Sequence, residues 1–232
     1  MVKFYYNTGP NPMKVALFLE EAGMKYEAIP IDGRLGDQHK PEYLAINPNA
    51  KAPSLVDGDV TIFDSNAILL YLAEKTGQFI PAGFGPERGE MLSWLMFVAT
   101  GIGPYSGQSV HFQHHAPEKL EYAINRYAME TKRIFDVADK RLAESRFLAG
   151  DDYTIADMAN FPWLAPFTTG HIYNDAKAFL SIDEYEQVNR WVKEIMERPG
   201  VRRGRLVNRV WGEEDEQMPE RHSAKDFEGK AI

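Results

Sequence analysis

Polar residues stand at two places where a helical pattern begins, and both places could bind a ligand. Asn11 follows the loop Thr8-Gly9-Pro10, and the pair Asp64-Ser65 precedes an apolar helical pattern. The first turn of a helix presents backbone N–H groups and the positive end of the helix dipole, so it can stabilise a carboxylate or a thiolate. The simpler interpretation is that these residues only cap their helices.

The sequence contains no cysteine, which excludes disulfides, cysteine-based metal sites and a protein thiol nucleophile. Any thiol chemistry therefore needs a sulfur atom that the ligand supplies. His111, His114 and His115 have a spacing that could turn them toward a metal from one helical face. No nearby carboxylate completes a ligand set, and Pro117 ends the stretch, so we prefer a role in lining a cleft.

The elements that would position these residues alternate between strand and helix. Apolar runs at 2–7 and 26–31 predict two strands, and the helix between them has Asn11 as its N-cap, Pro12 as its first residue and Gly23 after its end. Its apolar residues are spaced as one buried face, which consists of Val15, Phe18, Leu19 and Ala22. The order predicts a right-handed βαβ unit.

A short helix, a hairpin and a longer helix follow. Residues 41–46 predict the short helix, and Asp57-Gly58 between two apolar runs predicts the hairpin turn. Residues 65–75 show helical spacing that ends at Gly77. Segment 78–86, with two prolines and two glycines, is the predicted linker.

Beyond the linker nearly all patterns are helical, and Thr154-Ile-Ala-Asp157 has the form of a capping box. The sequence thus predicts four parts: a mixed domain over 1–77, a linker over 78–86, an all-helical domain over 87–211 and a charged tail over 212–232.

Composition limits the classes of function. The chain has 232 residues and a formal charge of −8, and an acidic chain without a long basic run argues against nucleic acid as a partner. No apolar run approaches the length of a membrane helix, and the first residues show no signal-peptide pattern. We therefore expect a cytoplasmic protein without a membrane partner.

Three motifs give this sequence a resemblance to the soluble glutathione transferase family. Segment 47–56 (NPNAKAPSLV) resembles the family pattern N-P-x-x-K-x-P-x-L, and segment 64–72 (DSNAILLYL) resembles the start of its [DE]-S-x-A-I helix. Segment 147–157 (FLAGDDYTIAD) is similar to the capping segment of its helical domain. The resemblance implies an α/β thioredoxin-like N-terminal domain plus an all-α C-terminal domain, with the ligand held between them.

The chain resembles the bacterial nu class within that family. The features are Asn11 after its loop, Gly103-Pro104 with Gly107-Gln108, His111-Phe112, and segment 123–127 (AINRY). Members of that class bind glutathione or its disulfide, and several reduce disulfides without a protein cysteine. The class tends to have threonine two residues before the asparagine, where this chain has Gly9 and carries Thr8 next to it.

The resemblance implies a role for each part of a glutathione site. Asp64 would pair with the ammonium of glutathione, and the helix start at Ser65 would bind the γ-glutamyl carboxylate. Ala52-Pro53 would be a cis peptide, so that the Ala52 backbone pairs with the cysteinyl residue; the alternative is an ordinary trans proline at a strand start. Lys51 and Gln38 would reach the glycyl carboxylate, unless they are merely solvated surface residues.

The thiol would lie near Asn11 and Thr8, which are the candidate catalytic residues. Which of them activates the thiol stays open, and a catalytic tyrosine at Tyr5 or Tyr6 ranks second because both lie inside the predicted strand. Arg126 resembles the residue that the nu class contributes from the partner subunit of a homodimer; the alternative is a surface charge.

The implied enzyme uses glutathione as a cosubstrate, without a metal, to attack a small organic electrophile or a disulfide, as in detoxification or disulfide reduction. A non-catalytic glutathione-binding or regulatory protein on the same fold is the alternative. We interpret the large side chains of the helical domain as mostly core, namely Trp94, Met96, Phe97, Tyr105, Phe112 and Trp163. Some of Tyr105, Phe112 and Phe167 would line an apolar acceptor pocket.

Overall fold

The computed structural model describes residues 1–33, 35–170 and 176–207, so the tail predicted over 212–232 lies outside the described residues. The described chain forms two compact units. Among the described residues, one unit contains 1–78 together with 196–207, and the other lies within 79–195.

The first unit is built on a four-stranded sheet. The strands are β1 (Val2–Tyr6), β2 (Tyr26–Pro30), β3 (Ser54–Asp57) and β4 (Val60–Phe63). Their order is β2-β1-β3-β4; β2 runs parallel to β1, whereas β3 is antiparallel to both β1 and β4. The predicted βαβ unit and the hairpin are therefore confirmed.

Within the described residues, four α-helices and one 3₁₀ turn complete this unit. The α-helices are α1 (Pro10–Glu21), α2 (Pro41–Leu44), α3 (Ser65–Thr76) and α10 (Pro199–Val207), and the 3₁₀ turn is Asp37–His39. Gly77 ends α3 in the left-handed conformation, as predicted.

Helix α1 is buried along most of its length because α3 and α10 both pack against it. Glycine allows the close approach of α10: a Cβ on Gly204 would lie 2.9 Å from the Leu17 Cα. At the end of α1, Glu21 forms an ion pair of 2.8 Å with Arg198. The sequence placed 199–207 in the helical domain, whereas these residues pack with the first unit.

The second unit is helical. Its α-helices are α4 (Pro86–Phe97), α5 (Gly103–Val110), α6 (Glu121–Glu144), α7 (Ile155–Thr169), α8 (Ala176–Phe179) and α9 (Glu186–Met196). Two π-helical turns, Val98–Ile102 and His111–His115, flank α5, and Ile182–Glu184 is a 3₁₀ turn. Over the described chain, no helix has the length and apolar character needed to cross a membrane.

Asp157 organises the core of the second unit from the first turn of α7. Its buried carboxylate accepts hydrogen bonds from the backbone N–H groups of Leu148 and Thr154, each 3.0 Å long, and from Trp191 Nε1 at 2.8 Å. The predicted capping box with Thr154 is thereby confirmed. Burial raises the pKa of Asp157 to about 6, and these hydrogen bonds oppose the rise.

Candidate functional site

The start of α3 presents an exposed carboxylate beside a helix N-terminus. Asp64 is the N-cap, and its Oδ1 accepts hydrogen bonds from the N–H groups of Asn66 at 2.9 Å and Ala67 at 3.1 Å. Its backbone has a φ of +73°, which is rare for a residue other than glycine. Asp64 therefore caps α3 as predicted. Both capping hydrogen bonds go to Oδ1, and Oδ2 takes part in neither of them.

Ser65, the next residue, is buried and contacts a lysine that sequence reasoning missed. Lys14 Nζ, from the second turn of α1, donates to Ser65 Oγ at 3.2 Å and to Asn66 Oδ1 at 3.1 Å. The lysine is only 2% exposed. A signal existed in the sequence, because Lys14 lies four residues before Phe18 and so shares its buried helical face.

The environment of Lys14 disfavours its charge. Burial lowers the pKa of Lys14 from 10.5 to about 7, and the nearby charge of Asp64 partly opposes this shift. Both hydrogen-bond partners of the ammonium are neutral groups. At neutral pH the group therefore exchanges between its charged and neutral forms.

The second part of the predicted site is the loop before β3. The peptide bond Ala52-Pro53 is cis, as predicted. The carbonyl of Lys51 accepts a hydrogen bond of 2.8 Å from the Tyr43 hydroxyl and another from Asn47 Nδ2. Tyr43 and Asn47 are buried, so this loop is anchored from below while the Lys51 side chain is exposed.

Gln38 lies in the 3₁₀ turn Asp37–His39 and is half-buried. Its Nε2 donates to the Gly33 carbonyl over a long 3.4 Å, and its buried Oε1 has no hydrogen-bond partner among the described residues. The carboxamide is therefore only weakly held, and its role in binding stays a prediction.

The loop between β1 and α1 differs from the prediction in one respect. The N-cap of α1 is Gly9, and Pro10 is the first helical residue, so Asn11 is the second residue and not the cap. Proline fixes φ at a helical value and needs no N–H partner, which makes Pro10 rather than Pro12 the natural first residue. Asn7 Oδ1 accepts the Gly9 N–H at 2.9 Å and shapes the turn. Thr8 is exposed.

The tyrosines of β1 face opposite sides of the sheet, as strand geometry requires. Tyr6 is 2% exposed and stacks against Phe4 with ring centroids 5.6 Å apart. Tyr5 is half-buried and packs against Tyr43 at 5.8 Å. The prediction that one of the pair faces the core is confirmed.

In the second unit, Arg126 lies on an exposed face of α6. Its guanidinium is 3.3 Å from Glu130 Oε2, and Glu130 also pairs with Arg133. Two large apolar side chains share this helix and are exposed, Tyr122 at 84% and Met129 at 64%. The contribution of Arg126 to a partner subunit stays a prediction.

Side chains of α5, the following π-helical turn and α6 form an aromatic cluster. Phe112 stacks on Tyr127 with ring centroids 5.3 Å apart and an interplanar angle of 5°, and Tyr105 lies 6.4 Å from Tyr127. The predicted core assignment was wrong here. Tyr105 and Phe112 are only half-buried, as are Trp94, Phe97 and Trp163, and Met96 is exposed.

Phe167 was a candidate for lining the acceptor pocket, and the histidines at 111, 114 and 115 were candidates for a metal site or a cleft. Phe167 is 1% exposed and packs against Phe135, so it belongs to the core and lines no open pocket. His111 forms an edge contact with Phe112 at 5.1 Å. Among the described residues there is no group of three or more histidine or acidic side chains that could hold a metal ion.

The sheet with its cis-proline loop and the appended helical unit define the class of protein. The chain belongs to the glutathione S-transferase family: residues 1–74 match the family's N-terminal domain and residues 94–199 match its C-terminal domain. The family and the fold predicted from the sequence are thereby confirmed.

Particular relatives are similar over most of their length. The disulfide-bond oxidoreductase YghU of Escherichia coli is 47% identical over 96% of this chain and 81% of its own. The structure of glutathione transferase YghU from Streptococcus pneumoniae complexed with glutathione has a TM-score of 0.85 at 40% identity, covering 90% of this chain and 84% of that one. A Pseudomonas putida glutathione transferase with one glutathione disulfide bound per subunit has a TM-score of 0.83 at 34% identity, covering 89% and 91%.

Proposed function

We propose that this chain is a glutathione-dependent enzyme that activates the glutathione thiol for attack on a disulfide or an organic electrophile. The start of α3 carries the proposal. There, an exposed carboxylate at Asp64, the backbone N–H of Ser65 at the first helical position and the Ser65 hydroxyl stand side by side. These groups match the ammonium and the carboxylate of a γ-glutamyl residue. The names and ligands of the relatives support the same activity.

The remainder of the tripeptide would extend along the loop before β3. The backbone N–H and C=O of Ala52 would pair with the cysteinyl residue as an added strand does. Tyr43 and Asn47 support this role because they fix the carbonyl of the preceding residue, Lys51. The glycyl carboxylate would then meet the Lys51 ammonium and the weakly held carboxamide of Gln38.

The thiol end would lie at the start of α1. The dipole of α1 and the first-turn N–H groups favour a thiolate there, and Asn11 adds an amide donor from the second helical position. Thr8 offers an exposed hydroxyl one residue before the N-cap. Because the chain has no cysteine, its contribution is to lower the thiol pKa and to position the sulfur.

Reduction of a disulfide then needs two glutathione molecules. The thiolate of the first attacks one sulfur of the substrate, and the other sulfur leaves as a thiolate that takes up a proton. The thiolate of the second attacks the glutathione sulfur of the resulting mixed disulfide and forms oxidised glutathione, while the remaining half of the substrate leaves as a thiolate that takes up a proton. Two thiols are oxidised for each disulfide reduced, and no protein residue changes its oxidation state.

Titration calorimetry with oxidised glutathione, combined with a disulfide-reduction assay, tests the proposal. We expect binding in the micromolar to millimolar range and glutathione-dependent turnover of a small disulfide. Absence of binding at millimolar concentrations would refute the proposal. Binding without turnover of either a disulfide or a haloarene would instead support a regulatory, non-catalytic protein.

The role of Asn11 has its own test. Asn11→Ala should lower kcat for disulfide reduction by about tenfold or more, with a smaller effect on the Kd of oxidised glutathione. Thr8→Ala made in parallel shows whether the neighbouring hydroxyl shares the task. Unchanged turnover in Asn11→Ala would remove the asparagine from the mechanism.

The proposal extends to a nu-class homodimer in which Arg126 reaches the partner's glutathione. The exposed arginine and the two exposed apolar side chains of α6, Tyr122 and Met129, support an interface on this helix. Arg126→Ala should weaken glutathione binding without unfolding the protein, and Arg133→Ala is the matched control on the same helix. A monomer in analytical ultracentrifugation would contradict the homodimer.

A cytoplasmic location and a part in detoxification belong to the same proposal. Cell fractionation tests the first. Growth of a deletion strain in the presence of organic electrophiles tests the second.

A further inference from the structure

Lys14 is a buried lysine that the proposed chemistry does not use. It lies in the second turn of α1, and its side chain reaches the first turn of α3. A buried ammonium is costly unless an opposite charge compensates it. Its two hydrogen-bond partners, Ser65 Oγ and Asn66 Oδ1, are both neutral.

The charged groups around Lys14 leave it without a local counterion. Asp64, the N-cap of α3, acts on it through space, but the Asp64 side chain is exposed and its Oδ1 is bonded to the helix N–H groups. On the α10 side of α1, Arg203 and Arg198 pair with the glutamates at the end of α1, Glu20 and Glu21. Within the described chain, no carboxylate lies within ion-pair distance of Lys14 Nζ.

We propose that Lys14 is a positioning residue of the γ-glutamyl site, whose buried ammonium finds its counterion in the ligand carboxylate bound over Ser65. Because Lys14 Nζ donates to Ser65 Oγ, one lone pair of that hydroxyl is occupied, and its proton can point to the ligand. The ammonium thus orients the hydroxyl and adds positive charge below the first turn of α3, where the helix dipole already favours an anion. This inference rests on the proposed glutathione site.

Binding would then be coupled to protonation of Lys14. With a pKa of about 7 in the unliganded protein, the Lys14 amine is roughly half charged at pH 7 and mostly neutral at pH 8. A carboxylate placed over Ser65 favours the charged form, so the ligand raises the pKa and the complex takes up a proton. Because the complex binds more protons than the unliganded protein, the affinity for the ligand falls as pH rises above 7.

Calorimetry on the wild-type protein tests this coupling with S-methylglutathione, which has no ionisable thiol. Titrations at pH 7 and pH 8 in two buffers of different ionisation enthalpy give the number of protons exchanged. We expect uptake of about half a proton at pH 7 and more at pH 8. Binding without proton uptake at either pH would overturn the inference while leaving the proposed function intact. Absence of binding altogether would refute the proposed function itself.

The variant Lys14→Met identifies the group, and Lys3→Met, which removes an exposed lysine from β1, is the matched control. Lys14→Met should weaken S-methylglutathione binding about tenfold at pH 7 and abolish the proton uptake. The control variant Lys3→Met should keep the wild-type affinity for S-methylglutathione and the wild-type proton uptake. Should Lys14→Met fail to fold, Lys14→Arg, whose charge does not titrate, must bind without proton uptake. Proton uptake that persists in either variant would assign the coupling to another residue and refute the proposal.

Discussion

Burial of Lys14 should make the stability of the unliganded protein depend on pH, and the replacement Lys14→Met should remove that dependence. The pKa of this lysine is about 7 in the folded chain against 10.5 as its ordinary value. Between these two pH values the unfolded chain binds more protons than the folded chain, so stability rises with pH. Below pH 7 the folded chain carries the full free-energy cost of burying the charged ammonium. This cost to the stability decreases as the pH rises and disappears as the pH approaches 10.5.

The magnitude follows from the two pKa values. Proton linkage with a folded pKa of about 7 and an unfolded pKa of 10.5 makes the contribution of this group to the free energy of unfolding rise by about 2 kcal/mol from pH 7 to pH 9. The hydrogen bonds that methionine cannot make to Ser65 and Asn66 change the stability of the variant by an amount that is nearly independent of pH. The useful quantity is therefore the difference between wild type and variant as a function of pH.

Urea denaturation at pH 7, 8 and 9, followed by the fluorescence of the four tryptophans, measures this difference. The free energy of unfolding of wild type relative to Lys14→Met should increase by about 2 kcal/mol across the series. The difference in the free energy of unfolding between wild type and Lys3→Met should stay constant across the series, because Lys3 is exposed on β1. A flat difference for Lys14→Met, within about 0.5 kcal/mol, would show that the lysine is not held in the desolvated environment described above.

Two further predictions concern stability. Asp157→Ala should cost about 3 kcal/mol or more, since it leaves several buried N–H donors without an acceptor; denaturation measures the loss, and Asp151→Ala in the exposed loop should have little effect. Gly204→Ala should cost about 1–3 kcal/mol, because its Cβ would lie 2.9 Å from the Leu17 Cα. Gly89→Ala, where a Cβ would meet nothing within 4 Å, should leave the stability unchanged or raise it; thermal denaturation of both variants measures the two effects.

The parts of the fold that could be predicted are those in which local chemistry and tertiary packing agree. The hairpin at Asp57-Gly58 and the capping box at Thr154 are specified by a few neighbouring residues, and both occur as predicted. Helix α10 shows the limit of such reasoning. Its sequence indicates a helix, but only the approach of Gly204 to the Leu17 backbone determines which unit it joins, and no periodicity within 199–207 contains that information.

The candidate site was predictable where a motif marks it and hidden where burial reverses the usual preference. Asp64 and the cis proline Pro53 lie in segments that resemble family motifs, and the resemblance implied the cis peptide bond. Lysine, in contrast, is among the residues least often buried, so a pattern of apolar positions passes over Lys14 although it shares their face. The N-cap of α1 was misplaced because two prolines, Pro10 and Pro12, compete for the first helical position.

In the proposed site, Asn11 and Lys14 would divide two tasks between them, namely activation of the ligand thiol and binding of the γ-glutamyl carboxylate. The two residues are three apart on α1, which places their side chains on the same face with Cβ atoms about 5–6 Å apart. Asn11 would stand near the thiol, where the proposed chemistry occurs, whereas Lys14, which donates to Ser65 Oγ, would support the γ-glutamyl carboxylate. Replacement of the first should therefore act mainly on turnover, and replacement of the second on affinity and its pH dependence. A single helix would then carry the residues that act on the thiol and on the γ-glutamyl carboxylate, and its burial between α3 and α10 would keep their spacing fixed.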